Sequence, residues 1–179
     1  MTSQTQASQA RGSQTRVGQT QASQTDAATT VIREVVVQAS PALAFEVFTA
    51  RFGEWWPKSH HIGGWDDPQC VLEPREGGRW LERGPNGEEC EWGSVLAWEP
   101  PHRLVLSWAI DASWQANPDL ASEVEVTFTP EDAGTRVVLE HRHLDRGGEN
   151  WERMRDAVSS GGGWGDLLAR YVAVADSAG

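Results

Sequence analysis

Among its 179 residues the chain has two cysteines, one tyrosine and four phenylalanines, and lysine occurs once, as Lys58. Each scarcity excludes something. Cys70 and Cys90 have no CxxC spacing, so neither a zinc knuckle nor a dithiol redox motif is encoded, and two free thiols in a reducing cytoplasm are expected. No apolar run reaches the roughly 18 to 20 residues that span a bilayer, and none of the length of a signal-peptide core follows Met1, so a soluble protein with no membrane partner is expected. Residues 29–179 carry 13 basic against 25 acidic side chains, which argues against nucleic-acid partners held through phosphates. The chain also lacks GxSxG, P-loop and post-strand GxGxxG patterns, leaving hydrolase elbows and nucleotide cradles unsupported.

What is present is tryptophan, ten of them, in a chain 39% hydrophobic and 23% charged. That composition suits one globular domain. Residues 1–28 depart from it: they are Ser, Gln, Thr and Ala, with QTQASQ at both Gln4–Gln9 and Gln19–Gln24. Such a segment cannot offset its ordering entropy, so 1–28 is expected to be a disordered low-complexity tail and 29–179 the domain. The twelve arginines of the domain suit planar pairing with its many carboxylates, as a solvated ion-pair surface.

Val31 to Gln38 reads as a first strand, with Val31, Val35 and Val37 on one parity. Ser40-Pro41 is a helix start, cap then N1 proline, and Ala44, Phe45, Val47, Phe48 and Phe52 supply an apolar face; a short second helix runs to Trp56. Lys58 to Pro68 is loop, and a candidate lid. Strands follow at about 70–73, 79–83, 88–98, 103–110, 122–129 and 135–143, separated by tight Gly and Asn-Gly turns that argue for an antiparallel meander. Alternation puts Leu104, Leu106, Trp108 and Ile110, then Val124, Val126 and Phe128, then Val137, Leu139, His141 and His143 on the face that meets a helix. That helix spans about Glu149 to Ala175, with an apolar stripe of Trp164, Leu167, Leu168, Tyr171, Val172 and Ala175. Gly161, Gly162 and Gly163 ahead of the stripe suggest a kink, a frayed turn or a close backbone approach.

The stretches PALAFEVF (41–48), Trp55-Trp56-Pro57, EPREGGRW (73–80), WGSVLAWEPPHRL (92–104), Trp108, 123–128, LEHRH (139–143) and GGWGDLL (162–168) resemble, in order and spacing, the START-type helix-grip fold, the SRPBCC superfamily. Within it they resemble the branch named for the activator of heat-shock-protein ATPase. The resemblance implies an α+β helix-grip domain, a curved antiparallel sheet wrapped around a long C-terminal helix with two short helices after strand 1. It further implies a cavity between sheet and helix. It does not imply one activity, since relatives include lipid carriers, hormone receptors, polyketide cyclases and cochaperone domains.

Three function classes follow, in order of expectation. The first is a carrier or sensor of a small apolar or aromatic molecule. The second is an enzyme of cyclase, hydrolase or isomerase type using a pocket histidine. The third is a protein-interaction domain with a chaperone partner. The expected lining is Trp56, Trp80, Trp98, Trp108, His141, His143, Trp164 and Leu168, because bulky rings line a cavity and an indole N–H orients a polar ligand group. His141 or His143 is the acid–base candidate, helped by Glu82 or Glu91 if either faces inward. His60 and His61 lie in a loop able to reach the pocket mouth. No cofactor or metal is expected, because a carboxylate or thiol at ligand spacing is missing beside the histidines.

Overall fold

The computed structural model describes residues 27–179. The expectation of a disordered tail over 1–28 therefore falls outside the described residues except at its last two positions. The chain is engaged with the fold from Thr29, whose carbonyl accepts the N–H of Leu144 at 3.0 Å.

Strand β1 (Val31–Val37) leads into helices α1 (Pro41–Thr49) and α2 (Phe52–Trp55). The cap read from the sequence is present: Ser40 accepts the N–H of Leu43 on its hydroxyl, and Pro41 opens the helix. Six further strands follow: β2 (Gln69–Leu72), β3 (Arg79–Arg83), β4 (Glu89–Glu99), β5 (Arg103–Trp108), β6 (Ser122–Glu131) and β7 (Gly134–Arg142). They form one antiparallel meander, and β1 adds to it beside β7, giving the order β1-β7-β6-β5-β4-β3-β2. Alternation works as expected on β6, where Val124, Val126 and Phe128 are buried while the residues between them are only half-buried. The opposite face carries the arginines: Arg103 and Arg142 both pair with Glu125, and Arg142 also pairs with Glu123. These four side chains are half-buried and link into one network.

The single C-terminal helix expected over Glu149 to Ala175 is two, α3 (Trp151–Ser159) and α4 (Trp164–Ser177), broken at the glycines. Gly163 is the reason for the break. Its Cβ-less backbone packs onto the carbonyls of Val158 and Ala157, where any side chain would overlap backbone, whereas Gly161 and Gly162 face open space. The apolar stripe belongs to α4, with Trp164, Leu167, Leu168, Tyr171 and Ala175 buried and Val172 half-buried. Tyr171 also donates its hydroxyl to the Ala44 carbonyl at 2.9 Å, tying α4 to α1. At that end of the sheet the core is closed by Phe45, Phe48 and Phe128 in edge-to-face contact. The other end is left to tryptophan.

Candidate functional site

Two local devices open a cavity at the tryptophan end. The first is a register shift between β3 and β4, in which Trp80 faces Gly93 and Leu81 faces Glu91, leaving Trp92 without a partner. This bulge turns Trp92 to the same inner side as Trp80, and the rings meet at 5.6 Å. Gly93 beside it allows the Ser107 carbonyl to approach where a Cβ would overlap it. The second device is the helix break at 160–163, which lets Ala157 and Val158 of α3 and Trp164 and Leu167 of α4 border one volume.

The result is a cavity of about 360 Å³. Its floor is Trp56, Trp92, Trp108 and Trp164, its aliphatic wall Ile110, Val158 and Leu167, and its mouth His60, His61 and Trp114. No Asp, Glu, Lys or Arg side chain is among the residues that line it. An apolar chamber with a few polar groups at one end is the ordinary make-up of a small-molecule site.

Of the eight residues expected in the lining, Trp56, Trp108 and Trp164 border the cavity. Trp80 and Leu168 are buried in the packing behind it. Trp98 does not reach it: six residues from Trp92 along β4, or roughly 20 Å of strand, it packs against Phe45 at 5.0 Å and borders a separate shallow depression with Pro74 and Pro101. His143 also leaves the expected face. Strand β7 ends at Arg142, and His143 takes a left-handed conformation (φ 59°) as the chain turns to bury Leu144.

His141 does lie on the inner face, but behind Trp108 and Trp164, fully buried. The indole of Trp164 can only donate, so its 3.1 Å bond to Nδ1 makes that nitrogen the acceptor. The proton then sits on Nε2, which donates to the hydroxyl oxygen of Ser122 at 2.8 Å. Burial pushes the imidazole down to about 3, so it stays neutral. With both nitrogens engaged, His141 orients Trp164 and has no lone pair for a ligand, contrary to the acid–base role expected of it.

Glu82 faces inward and is fully buried, while Glu91 is exposed. The Glu82 carboxylate does not reach the cavity; Oε1 accepts the backbone N–H of Ile62 and Gly63, pinning the loop that carries His60 and His61. Trp56 pins the same loop from the floor, donating its indole N–H to the His60 carbonyl at 2.8 Å. The candidate lid is therefore a tethered wall. Cys70 and Cys90 are free and half-buried on the strands flanking Glu82. Burial first, then the Glu82 carboxylate, pushes the Cys70 thiol up to about 12, which makes it inert as a nucleophile at neutral pH.

The indole nitrogens of Trp80, Trp92 and Trp108 are buried without a hydrogen-bond partner. Their neighbours are ring faces, Trp80 meeting Trp92 at 5.6 Å and Trp108 at 5.5 Å in edge-to-face geometry.

Sequence reasoning missed Trp92 and Trp114 as lining residues. Trp92 and Trp98, six residues apart on β4, share strand parity, so alternation does not tell which of them reaches the cavity, and the register shift beside Trp92 is not displayed by a single sequence. No helix among the described residues is long and apolar enough to cross a membrane.

The chain is similar in fold to known structures. An anthrahydroquino-gamma-pyrone synthase, Txn09, solved in complex with SUM, is 42% identical, over 82% of this chain and 96% of its own, with a TM-score of 0.58. CalC, a self-sacrificing resistance protein from Micromonospora echinospora, is 30% identical over 84% of this chain and 96% of its own, with a TM-score of 0.61. A Rhodobacter sphaeroides protein is 25% identical over 84% and 91%, with a TM-score of 0.58. None of the curated proteins matches the chain. The helix-grip resemblance carried by the sequence is thus met by the seven-stranded sheet, the C-terminal helices and the structural neighbours alike. Over residues 38–175 the chain matches the family described as Activator of Hsp90 ATPase homolog 1-like protein, and it belongs to that family.

Proposed function

We propose that the chain binds a planar, largely apolar aromatic molecule in the cavity between the sheet and helices α3 and α4. The observation that carries this reading is the cavity itself: about 360 Å³, floored by four indoles and lined by no charged side chain. Filled to the usual packing density of ~0.74, it holds roughly 270 Å³ of ligand, on the order of three or four fused rings. Flat indole faces meet flat rings in offset or edge-on geometry, an attraction beyond area burial alone. The 42% identity to a synthase of anthrahydroquino-gamma-pyrones supports a ligand of that size and flatness.

That same similarity favours a second reading, in which the bound molecule is also transformed, by closure of a fused γ-pyrone ring. The chamber supplies orientation and dryness for such a step, while His141, the acid–base candidate of the sequence, is occupied by Trp164 and Ser122. Binding is therefore the primary proposal. A chaperone partner, which the family description suggests, ranks third, and stoichiometric capture of a heat-shock ATPase with stimulation of its turnover would reverse the order.

Titration with 2-hydroxyanthraquinone, followed by tryptophan emission and by calorimetry, tests the primary reading. Saturable one-to-one binding with quenching is expected. Absence of binding by this probe and by a panel of two- to four-ring aromatics would leave the tryptophans as packing. Formation of a fused γ-pyrone from an anthrahydroquinone precursor at substoichiometric protein would promote the second reading over the first.

A further inference from the structure

The mouth of the cavity contains two features that folding alone does not explain. Trp114 is 45% exposed and holds a left-handed backbone (φ 59°), a conformation that bulky residues seldom adopt. Its loop is built to keep it there. The Asp111 carboxylate accepts the N–H of Ser113 at 2.8 Å and of Gln115 at 3.2 Å, the Asp111 carbonyl accepts the N–H of Trp114 at 2.9 Å, and an Ile110–Ala116 bridge closes the base. The effort presents a large aromatic face to the cavity mouth, where it has little to pack against.

Two histidines line the same cavity and are exposed there. His60 is spent: Nε2 donates to the Gly162 carbonyl and Nδ1 faces the Ser59 hydroxyl. His61 is not. Its Nδ1 lies 2.8 Å from the Gly63 carbonyl, which can only accept, so Nδ1 carries the proton and Nε2 is left as an acceptor with no partner among the described residues. Of the histidines on the inner face or at the cavity, only His61 keeps an unclaimed ring nitrogen.

We infer that Trp114 and His61 form a subsite for a phenolic ring edge, Trp114 covering the ring while Nε2 of His61 accepts the hydrogen bond of the hydroxyl. This rests on the cavity's being a site for aromatic ligands. Chemistry narrows the group. Without a charged side chain in the lining, neither a carboxylate nor an ammonium ion finds a counter-ion. An acceptor nitrogen asks for a donor, and a phenol is a stronger donor than an alcohol while supplying the flat surface that Trp114 covers. The ligand therefore enters with its apolar rings against the floor and its hydroxyl toward the mouth.

Two probes of one shape test this: 2-hydroxyanthraquinone and 2-methoxyanthraquinone, titrated against the full chain and against His61→Ala, His61→Asn and Trp114→Gly. Asparagine keeps a donor for the Gly63 carbonyl while removing the Nε2 acceptor, so it separates loop damage from loss of recognition. The wild type is expected to prefer the hydroxylated probe by roughly fivefold to tenfold, the worth of one net hydrogen bond. Both His61 variants should bind the two probes equally, and Trp114→Gly should weaken both while its melting temperature holds. Persistence of the preference in both His61 variants overturns the subsite, as does equal binding of the two probes by the wild type. Displacement of the hydroxylated probe by millimolar tetramethylammonium also overturns it, because the indoles would then serve a cation. Failure of both probes to bind the wild type removes the aromatic-ligand reading itself, and this subsite with it.

Discussion

Glu82, a fully buried carboxylate on β3, accepts the backbone N–H of Ile62 at 3.0 Å, twenty residues away in the loop that walls the cavity. The adjacent N–H of Gly63 shares the same oxygen, Oε1. A strand side chain thus does for this loop what a cap does for a helix end, and it sets where His60 and His61 stand.

Glu82→Leu should therefore loosen the loop rather than the sheet. It leaves two N–H donors without their acceptor, at about 1–3 kcal/mol for each that stays buried, and less if the loop swings into water. Amide exchange at Ile62 and Gly63 should accelerate while that of β6 and β7 stays slow, and Glu82→Gln, which keeps an acceptor oxygen, should lie between the two. Unchanged exchange at Ile62 and Gly63 in Glu82→Leu would show that the loop is held by other contacts.

The three glycines before α4 make a sharper contrast. Gly163→Ala places a methyl group into the carbonyls of Val158 and Ala157, whereas Gly161→Ala and Gly162→Ala meet nothing. The first should lower stability by about 1–3 kcal/mol through forced backbone movement, and the other two should be neutral or slightly stabilising. Thermal melts of the three variants decide it; equal melting temperatures would mean that the helix break is not maintained by Gly163.

The pattern of what the sequence displayed follows from the range of each interaction. Local signals were legible: the Ser40-Pro41 start, the β6 alternation and the apolar stripe of α4 each depend on neighbours within a turn or a strand. The glycine run announced a kink, a frayed turn or a close backbone approach, though not that the close approach is made by Gly163. What parity could not supply was position along a strand and the point where a strand stops. Trp92 lines the cavity beside the bulge that leaves it without a partner on β3, Trp98, of the same parity, misses it because the strand carries it to the far end, and His143 follows directly on the last residue of β7 and turns away from the sheet. His141 was placed on the correct face, but its chemistry is decided by Trp164, twenty-three residues on, which occupies the nitrogen a base would need.

The burial of His141 carries a pH dependence whose sign is fixed. The folded imidazole titrates at about 3 against an ordinary value of 6.5, so between those limits the unfolded chain holds a proton that the folded one refuses. Stability contributed by neutral His141 is complete above pH 6.5 and is lost as the pH falls toward 3, with a slope on the order of 1 kcal/mol per unit. Urea melts from pH 7 down to pH 4.5 should show that fall, flattened in His141→Gln. A slope unaltered by the substitution would assign the acid sensitivity to other groups.

Trp108 packs against Trp80 at 5.5 Å, Trp164 at 5.7 Å and His141 at 5.2 Å and also borders the cavity. A tryptophan enclosed on all sides costs about 3–5 kcal/mol on truncation to alanine, through lost transfer energy and the void left behind. Trp108 already faces empty volume, so part of its surface has no contacts to lose, and Trp108→Ala should fall below that range. The same substitution enlarges the chamber and removes one ring from its floor, so binding of 2-hydroxyanthraquinone should weaken by more than stability does. In the wild type, that probe at a hundredfold excess over its Kd should stabilise the fold by about 2.7 kcal/mol, and in the variant at the same concentration by visibly less. A full core-sized loss on truncation, combined with no ligand-dependent rise in melting temperature, would mean that the indoles fill the end of a core and that the space between them is a packing defect.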